Sequence, residues 1–256
     1  MIKGLFFDVH GTLIDKGGVQ ALERARAKVV SFLNHHGISV THEGFKQIWL
    51  SNREKHRMDY KELNEVSFYG WYKGILDDLG ISNPDESWVD HLNEEWMRGF
   101  IETTTEIPPA RAVLSELKHC YRLGVISNSL GRNTEVDLLR TSLRNFFEVL
   151  IFSSEVGKRK PHPKIFASAL DAMGLRAEET IMVGDNFHED IEGAKKMGMK
   201  TIYLTQKEPS RSIEFLKNPS DFNGYPNHRE KECRGLAYAD AILESLNGVK
   251  DLISDW

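Results

Sequence analysis

The spacing of apolar and polar positions divides the chain into stretches of different texture. Leu5, Phe6 and Phe7 run straight into Asp8, and Val9, His10, Gly11, Thr12 and Leu13 follow. An apolar run this short, bounded by a turn signal, predicts a buried parallel strand with Asp8 at its carboxyl end. From Val19 to His36 the apolar residues Val19, Leu22, Ala25, Val29, Val30 and Leu33 fall at three- and four-residue spacing, and Gly37 is a natural stop. Helical patterns continue from Thr41 to about Thr104 without β-rich runs, broken at Asn83, Pro84 and Asp85. Trp49, Trp71, Trp88 and Trp96 all lie there, which predicts a small all-helical module packed on its own aromatics.

Beyond Pro108 and Pro109 the texture alternates. Helical patterns at Ala110 to His119, Glu135 to Leu143, Lys164 to Met173 and Asp190 to Met197 are interleaved with short apolar runs. Those runs are Leu123 to Ile126, Val149 to Phe152, Thr180 to Val183 and Thr201 to Leu204. The alternation predicts an α/β fold: a doubly wound parallel sheet covered by helices on both faces. Residues 1–15 and 105–256 form the expected core, with 16–104 as the inserted helical domain. Within the core, 206–235 is rich in Pro and Asn and reads as a long insertion or flap, with Ser212 to Lys217 as one helical turn. Helical periodicity returns from Ala239 to Leu252.

Composition narrows the function classes. Lys and Arg number 33 against 38 Asp and Glu, a formal charge of −5, which argues against a nucleic-acid partner. No apolar stretch reaches the ~18 residues of a membrane span, and the first strand begins without a signal-peptide pattern. Cys120 and Cys233 cannot build a disulfide framework, so a reducing compartment and a cytoplasmic location are expected. The oligomeric state is not legible.

What ends the apolar runs carries the chemistry. One run ends at Asp8, one at Ser127 and Asn128, and one at Gly184 and Asp185, with Asp190 five residues on. The run ending at Phe152 is followed by Gly157, Lys158, Arg159, Lys160 and Pro161. In a parallel sheet all these ends share one edge, where open α/β sheets bind ligands. Asp8 alone reads as a nucleophile, a metal ligand, both, or a loop cap. Three crowded carboxylates raise one another's pKa unless a cation offsets them, and a hard dication such as Mg2+ suits oxygen ligands. Lysine and hydroxyl groups suit a phosphate, which a nearby carboxylate can attack.

The four stretches Asp8-Val9-His10-Gly11-Thr12, Ser127-Asn128, Gly157 to Phe166 and Gly184 to Asp190 resemble, in order and spacing, the signatures of the haloacid dehalogenase-like superfamily. The helical insertion resembles its C1-type cap, which closes over the site and sets specificity. The resemblance implies a Mg2+-dependent phosphatase acting on a small phosphorylated metabolite through an aspartyl phosphate on Asp8. It implies Asp8, the backbone carbonyl of His10, Asp185 and Asp190 around the metal. Ser127, Asn128 and Thr12 are implied at the phosphate or its loop, and Lys160 is implied to steady nucleophile and phosphate. The superfamily's phosphatases usually carry aspartate, as general acid and base, where this chain has His10. That departure keeps two other readings in play: a 2-haloacid dehalogenase using Asp8 on carbon, and a catalytically weak relative that binds a ligand or partner. Asp190 also reads as a residue that opens a helix, where an acid is favoured without catalysis.

Overall fold

The computed structural model of the chain describes residues 1–81, 84–205, 238–254 and 256. The expected insertion at 206–235 and the helical turn within it lie outside the described residues. The chain divides into two compact units, one of them Lys16–Thr104 and the other containing 1–15, 105–205 and 238–256. Among the described residues, no helix is long and apolar enough to cross a membrane.

The first unit is helical. It contains α1 (Gly18–His35), α2 (His42–Lys55), α3 (Arg57–Lys61), α4 (Phe68–Asp78) and α5 (Glu86–Arg98). Three of these begin where a side-chain oxygen accepts a backbone N–H of the first turn: Thr41 for Gly44, Ser67 for Gly70 and Asp85 for Trp88. Helix α1 buries Ala21, Ala25, Val29 and Leu33, one face at four-residue spacing. A Cβ on Gly99 would lie 2.1 Å from the Cα of Ala25, so glycine is what lets this backbone approach α1. The tryptophans hold the centre: Trp49 stacks on Trp96 at 3.9 Å and meets Trp71 edge-on at 5.1 Å.

The second unit is a six-stranded parallel sheet in the order β5-β4-β1-β6-β7-β8. Its strands are β1 (Gly4–Phe7), β4 (Arg122–Ser127), β5 (Val149–Phe152), β6 (Thr180–Gly184), β7 (Lys200–Leu204) and β8 (Ala241–Leu243). A separate antiparallel pair, β2 (Ile14–Asp15) and β3 (Thr105–Glu106), flanks the helical insertion in sequence. The helices are α6 (Ala110–Leu117), α7 (Gly131–Arg140), α8 (Ser153–Val156), α9 (Pro163–Met173), α10 (Gly193–Lys196) and α11 (Val249–Ser254). Leu5 and Phe7 of β1 join one apolar cluster, with Leu123, Val125, Ile181 and Val183. Phe6 joins another, with Ile126, Ile165, Phe166 and Met182. Alternate side chains of one uninterrupted apolar run therefore fill both faces of the sheet.

Three elements differ from expectation. The tail begins with strand β8 rather than a helix, paired Tyr203 to Ile242. Asp240 fixes that pairing by accepting hydrogen bonds from the Thr201 N–H and Oγ1 at 2.9 Å each and from Lys195 Nζ at 2.5 Å. The second difference is α7, which starts at Gly131 rather than Glu135 because its buried face carries Asn133, Thr134 and Asp137. Hydrophobic spacing cannot register a polar face. The third is the segment expected as a helix from Asp190, which is a π-helical turn, Phe187–Glu192, leading into α10. Asn186, not Asp190, caps it by accepting from the Glu189 N–H at 3.1 Å.

Candidate active site

The register of the sheet assembles the site. Phe7 lies opposite Val125 on one side and Val183 on the other, so the next residues of β1, β4 and β6 emerge at one edge. Asp8 leaves β1 there, its N–H donating to the Val183 carbonyl at 3.0 Å. The following loop closes on itself: Leu13 N–H donates to the Val9 carbonyl at 2.8 Å and Gly11 N–H to the Ile14 carbonyl at 2.9 Å. Ser127 ends β4 with its side chain buried, and Asp185 follows β6.

Lys160 ties these ends together. Its ammonium donates to Asp8 Oδ1 at 2.7 Å, Asp190 Oδ1 at 2.6 Å and the Ile126 carbonyl at 2.8 Å, which uses all three of its hydrogens. The side chain is only 1% exposed. Burial by itself would lower the lysine's pKa, but the charges of Asp190 and Asp8 more than reverse this and raise it. Asp190 is fully buried, and its other oxygen, Oδ2, accepts from the Asn186 N–H at 3.0 Å. Burial raises its pKa, Lys160 opposes this, and the charges of Asp8 and Asp185 push it further up. Lysine and aspartate thus both hold protons more tightly than in water.

For Asp190 burial is the largest cause, and the crowding of acids adds to it. Asp8, Asp185 and Asp190 offer ligand oxygens all within 4.8 Å of one another, an excess of carboxylates in one place. A proton relieves that excess, and a hard cation with oxygen preference relieves it better. Gly184 makes the crowding possible, since a Cβ there would lie 2.2 Å from Asp190 Oδ2. Gly184→Ala is expected to displace that carboxylate and lower kcat at least tenfold in a phosphate-release assay, with the circular dichroism spectrum unchanged.

Residues 38–204 match the haloacid dehalogenase-like hydrolase family. This chain is a haloacid dehalogenase-like hydrolase. Among curated relatives of this hydrolase, a glyceraldehyde 3-phosphate phosphatase of Pyrococcus abyssi is 34% identical over 80% of this chain and 82% of its own. A second protein of that name, from Methanocaldococcus jannaschii, is 31% identical over 100% of this chain and 98% of its own. Among solved structures, a 2-haloacid dehalogenase from Pseudomonas syringae superposes with a TM-score of 0.68 at 22% identity, covering 100% of both chains. That last likeness speaks to the fold alone.

The remaining expected site residues of the hydrolase lie around this carboxylate cluster. Thr12, expected at the phosphate or its loop, donates from Oγ1 to Asp185 Oδ1 at 3.1 Å, so its side chain orients an acid of the cluster. Asn128 is committed to Lys160: its Nδ2 donates to the Lys160 carbonyl at 3.1 Å and its Oδ1 accepts the Lys160 N–H at 2.7 Å. This side-chain amide holds the lysine backbone. His162 caps α9 by accepting from the Lys164 N–H at 3.1 Å. His10 turns its Nε2 to Asp137 Oδ2 at 3.1 Å, and sequence reasoning gave Asp137 no part. The available signal was polar residues at 133, 134 and 137, one helical face shortly after Ser127 and Asn128.

Proposed function

We propose that this phosphatase hydrolyses a small phosphorylated metabolite with Mg2+ bound at Asp8, Asp185 and Asp190, through an aspartyl phosphate on Asp8. The observation that carries the reading is the Lys160 ammonium held between Asp8 and Asp190, with Asp185 in the same carboxylate cluster. The donor set is all oxygen and short of positive charge, which suits Mg2+ better than a softer metal. When bound, the cation neutralises the carboxylates and draws charge from the phosphate oxygens.

This chain's own residues do the rest. Lys160 keeps Asp8 aimed, so that Oδ2 is the oxygen left to attack phosphorus while Oδ1 stays on the ammonium. Thr12 fixes Asp185 and Asn128 fixes the lysine backbone, so neither partner of the nucleophile needs to reorganise during the reaction. Ser127, at the end of β4, supplies a hydroxyl and the first backbone of the phosphate loop. His10 gives a proton to the departing oxygen as the P–O bond breaks. It then takes one from the water that opens the aspartyl phosphate, which regenerates Asp8 and releases inorganic phosphate. The helical unit Lys16–Thr104 is the C1-type cap of this reading.

Relatives named for glyceraldehyde 3-phosphate direct the substrate search to small phosphorylated carbonyl compounds. Purified protein assayed against a panel of sugar and triose phosphates is expected to release phosphate with Mg2+ and to lose at least 95% of that rate, roughly, in EDTA, as removal of an electrostatic stabiliser of several kcal/mol requires. Undiminished release in EDTA would sink the metal-dependent reading. Halide release from 2-haloacids, unaffected by EDTA, would replace it with the dehalogenase reading.

A further inference from the structure

We infer that Asp137 is a positioning residue for His10, holding the imidazole in one orientation and one neutral tautomer. The inference rests on the reading of His10 given above and adds a residue that no signature of the sequence singles out.

Helix α7 is built against its own stability. Its buried side chains include Asn133, Thr134 and Asp137, three- and four-residue neighbours on a single face. Helix α9 of the same unit buries Ile165, Phe166, Ala169, Leu170 and Met173 instead. Aspartate is a poor residue for a helix interior, because its short side chain competes for the backbone. A buried carboxylate is costly as well unless something pairs with it. Asp137 is nonetheless 1% exposed in the middle of α7. The carboxylate offsets part of these costs through what it holds.

It holds His10, 127 positions away in sequence, at 3.1 Å. Both ends of the pair stand on fixed backbone. Thr141 anchors the Asp137 carbonyl through its N–H at 3.0 Å and its Oγ1 at 2.8 Å. On the other side the loop after Asp8 is closed by its own hydrogen bonds, and His10 is bridged to Ile14. The carboxylate contact holds the imidazole against rotation about its two side-chain torsions.

With Asp137 as the acceptor, the arrangement inferred here, Nε2 is the donor in this bond and the lone pair of the neutral ring lies on Nδ1. A histidine standing where the phosphatases usually carry aspartate is longer and has two non-equivalent nitrogens. It needs an orienting partner that a carboxylate does not, and α7 provides one.

The test combines kinetics with a ring-nitrogen spectrum. His10→Ala should cut kcat on a sugar phosphate, a poor leaving group, by about 100-fold, the lower range of acid–base help, and cut it far less on p-nitrophenyl phosphate. Asp137→Ala should show the same leaving-group selectivity and add no further loss in the H10A background. Equal losses on both esters, or a loss additive with H10A, assign Asp137 to mere structure and overturn the proposal. If H10A itself shows no leaving-group selectivity, the acid–base reading of His10 fails separately. Positioning is then judged on the wild-type protein, where 15N shifts of the neutral His10 ring should show the proton on Nε2. A proton on Nδ1 overturns the proposal whatever the kinetics, and this measurement requires no variant to fold.

Discussion

Replacing Asp8 with asparagine should abolish phosphate release, by ~10⁴-fold or more, as loss of a covalent nucleophile does. It should do so without harming the fold. Asparagine is isosteric, and its Oδ1 still accepts the Lys160 hydrogen bond now made at 2.7 Å. It also removes the charge of one of three carboxylates that lie within 4.8 Å of one another. Thermal unfolding in EDTA should therefore show a melting temperature equal to or above that of the wild type. Phosphate should label Asp8 in the wild type and leave the variant unlabelled when a trapping analogue is used and the peptide is sequenced by mass spectrometry. Normal turnover by D8N would remove Asp8 from its assigned role.

Replacing Lys160 with methionine should do the reverse to stability. Methionine matches the stem and volume, so packing is kept while the charge disappears. Asp8, Asp190 and the Ile126 carbonyl all lose their hydrogen-bond donor in a buried place. Removing one member of a buried ion pair costs about 3–5 kcal/mol, because the partner charge stays behind uncompensated. The melting temperature should fall by several degrees, and kcat/KM by ~10³-fold, since Asp8 loses both its orientation and its countercharge. Mg2+ should recover part of the lost melting temperature and little of the activity. A K160M protein as stable as the wild type would mean that the acids are protonated and not charged. In the wild type the lysine's contribution is robust to pH. Its pKa is raised in the folded state, so the stabilisation is complete below roughly pH 10, the unfolded lysine value, and is lost only as pH climbs through the higher folded one.

The two outcomes also show what the sequence could and could not convey. Asp8, Asp185, Asp190 and Lys160 were legible because each follows an apolar run or sits in a turn of fixed spacing, and strand ends of a parallel sheet converge by topology. The destination of a polar side chain was less so. Nothing in the spacing around Asn128 shows that its amide reaches 32 positions along the chain to clamp the Lys160 backbone. Asp190 was read as also able to begin a helix, yet it is fully buried inside a π-helical turn that Asn186 caps. Strand β8 was hidden because three half-buried residues at a sheet edge leave too short a pattern to outvote the helical spacing around them. Helix α7 lost its first turn because Asn133, Thr134 and Asp137 face inward. Periodicity reports where oil is buried and is silent where the buried face does chemistry.

The strand order has a consequence for how the enzyme comes into being. β1 sits between β4 and β6, so the nucleophile's neighbours are made long after it. Lys160 follows Asp8 by 152 positions. At roughly 5–20 residues per second, a ribosome needs on the order of ten seconds to supply that lysine, and a little longer for Asp185 and Asp190. Throughout that interval Asp8 is an ordinary solvated acid on a nascent chain, with neither the lysine nor the other acids beside it. Under the proposed mechanism, chemical competence waits until β6 lies beside β1. A truncated product ending before β6 is expected to carry Asp8 without Asp185 and Asp190 and to release no phosphate.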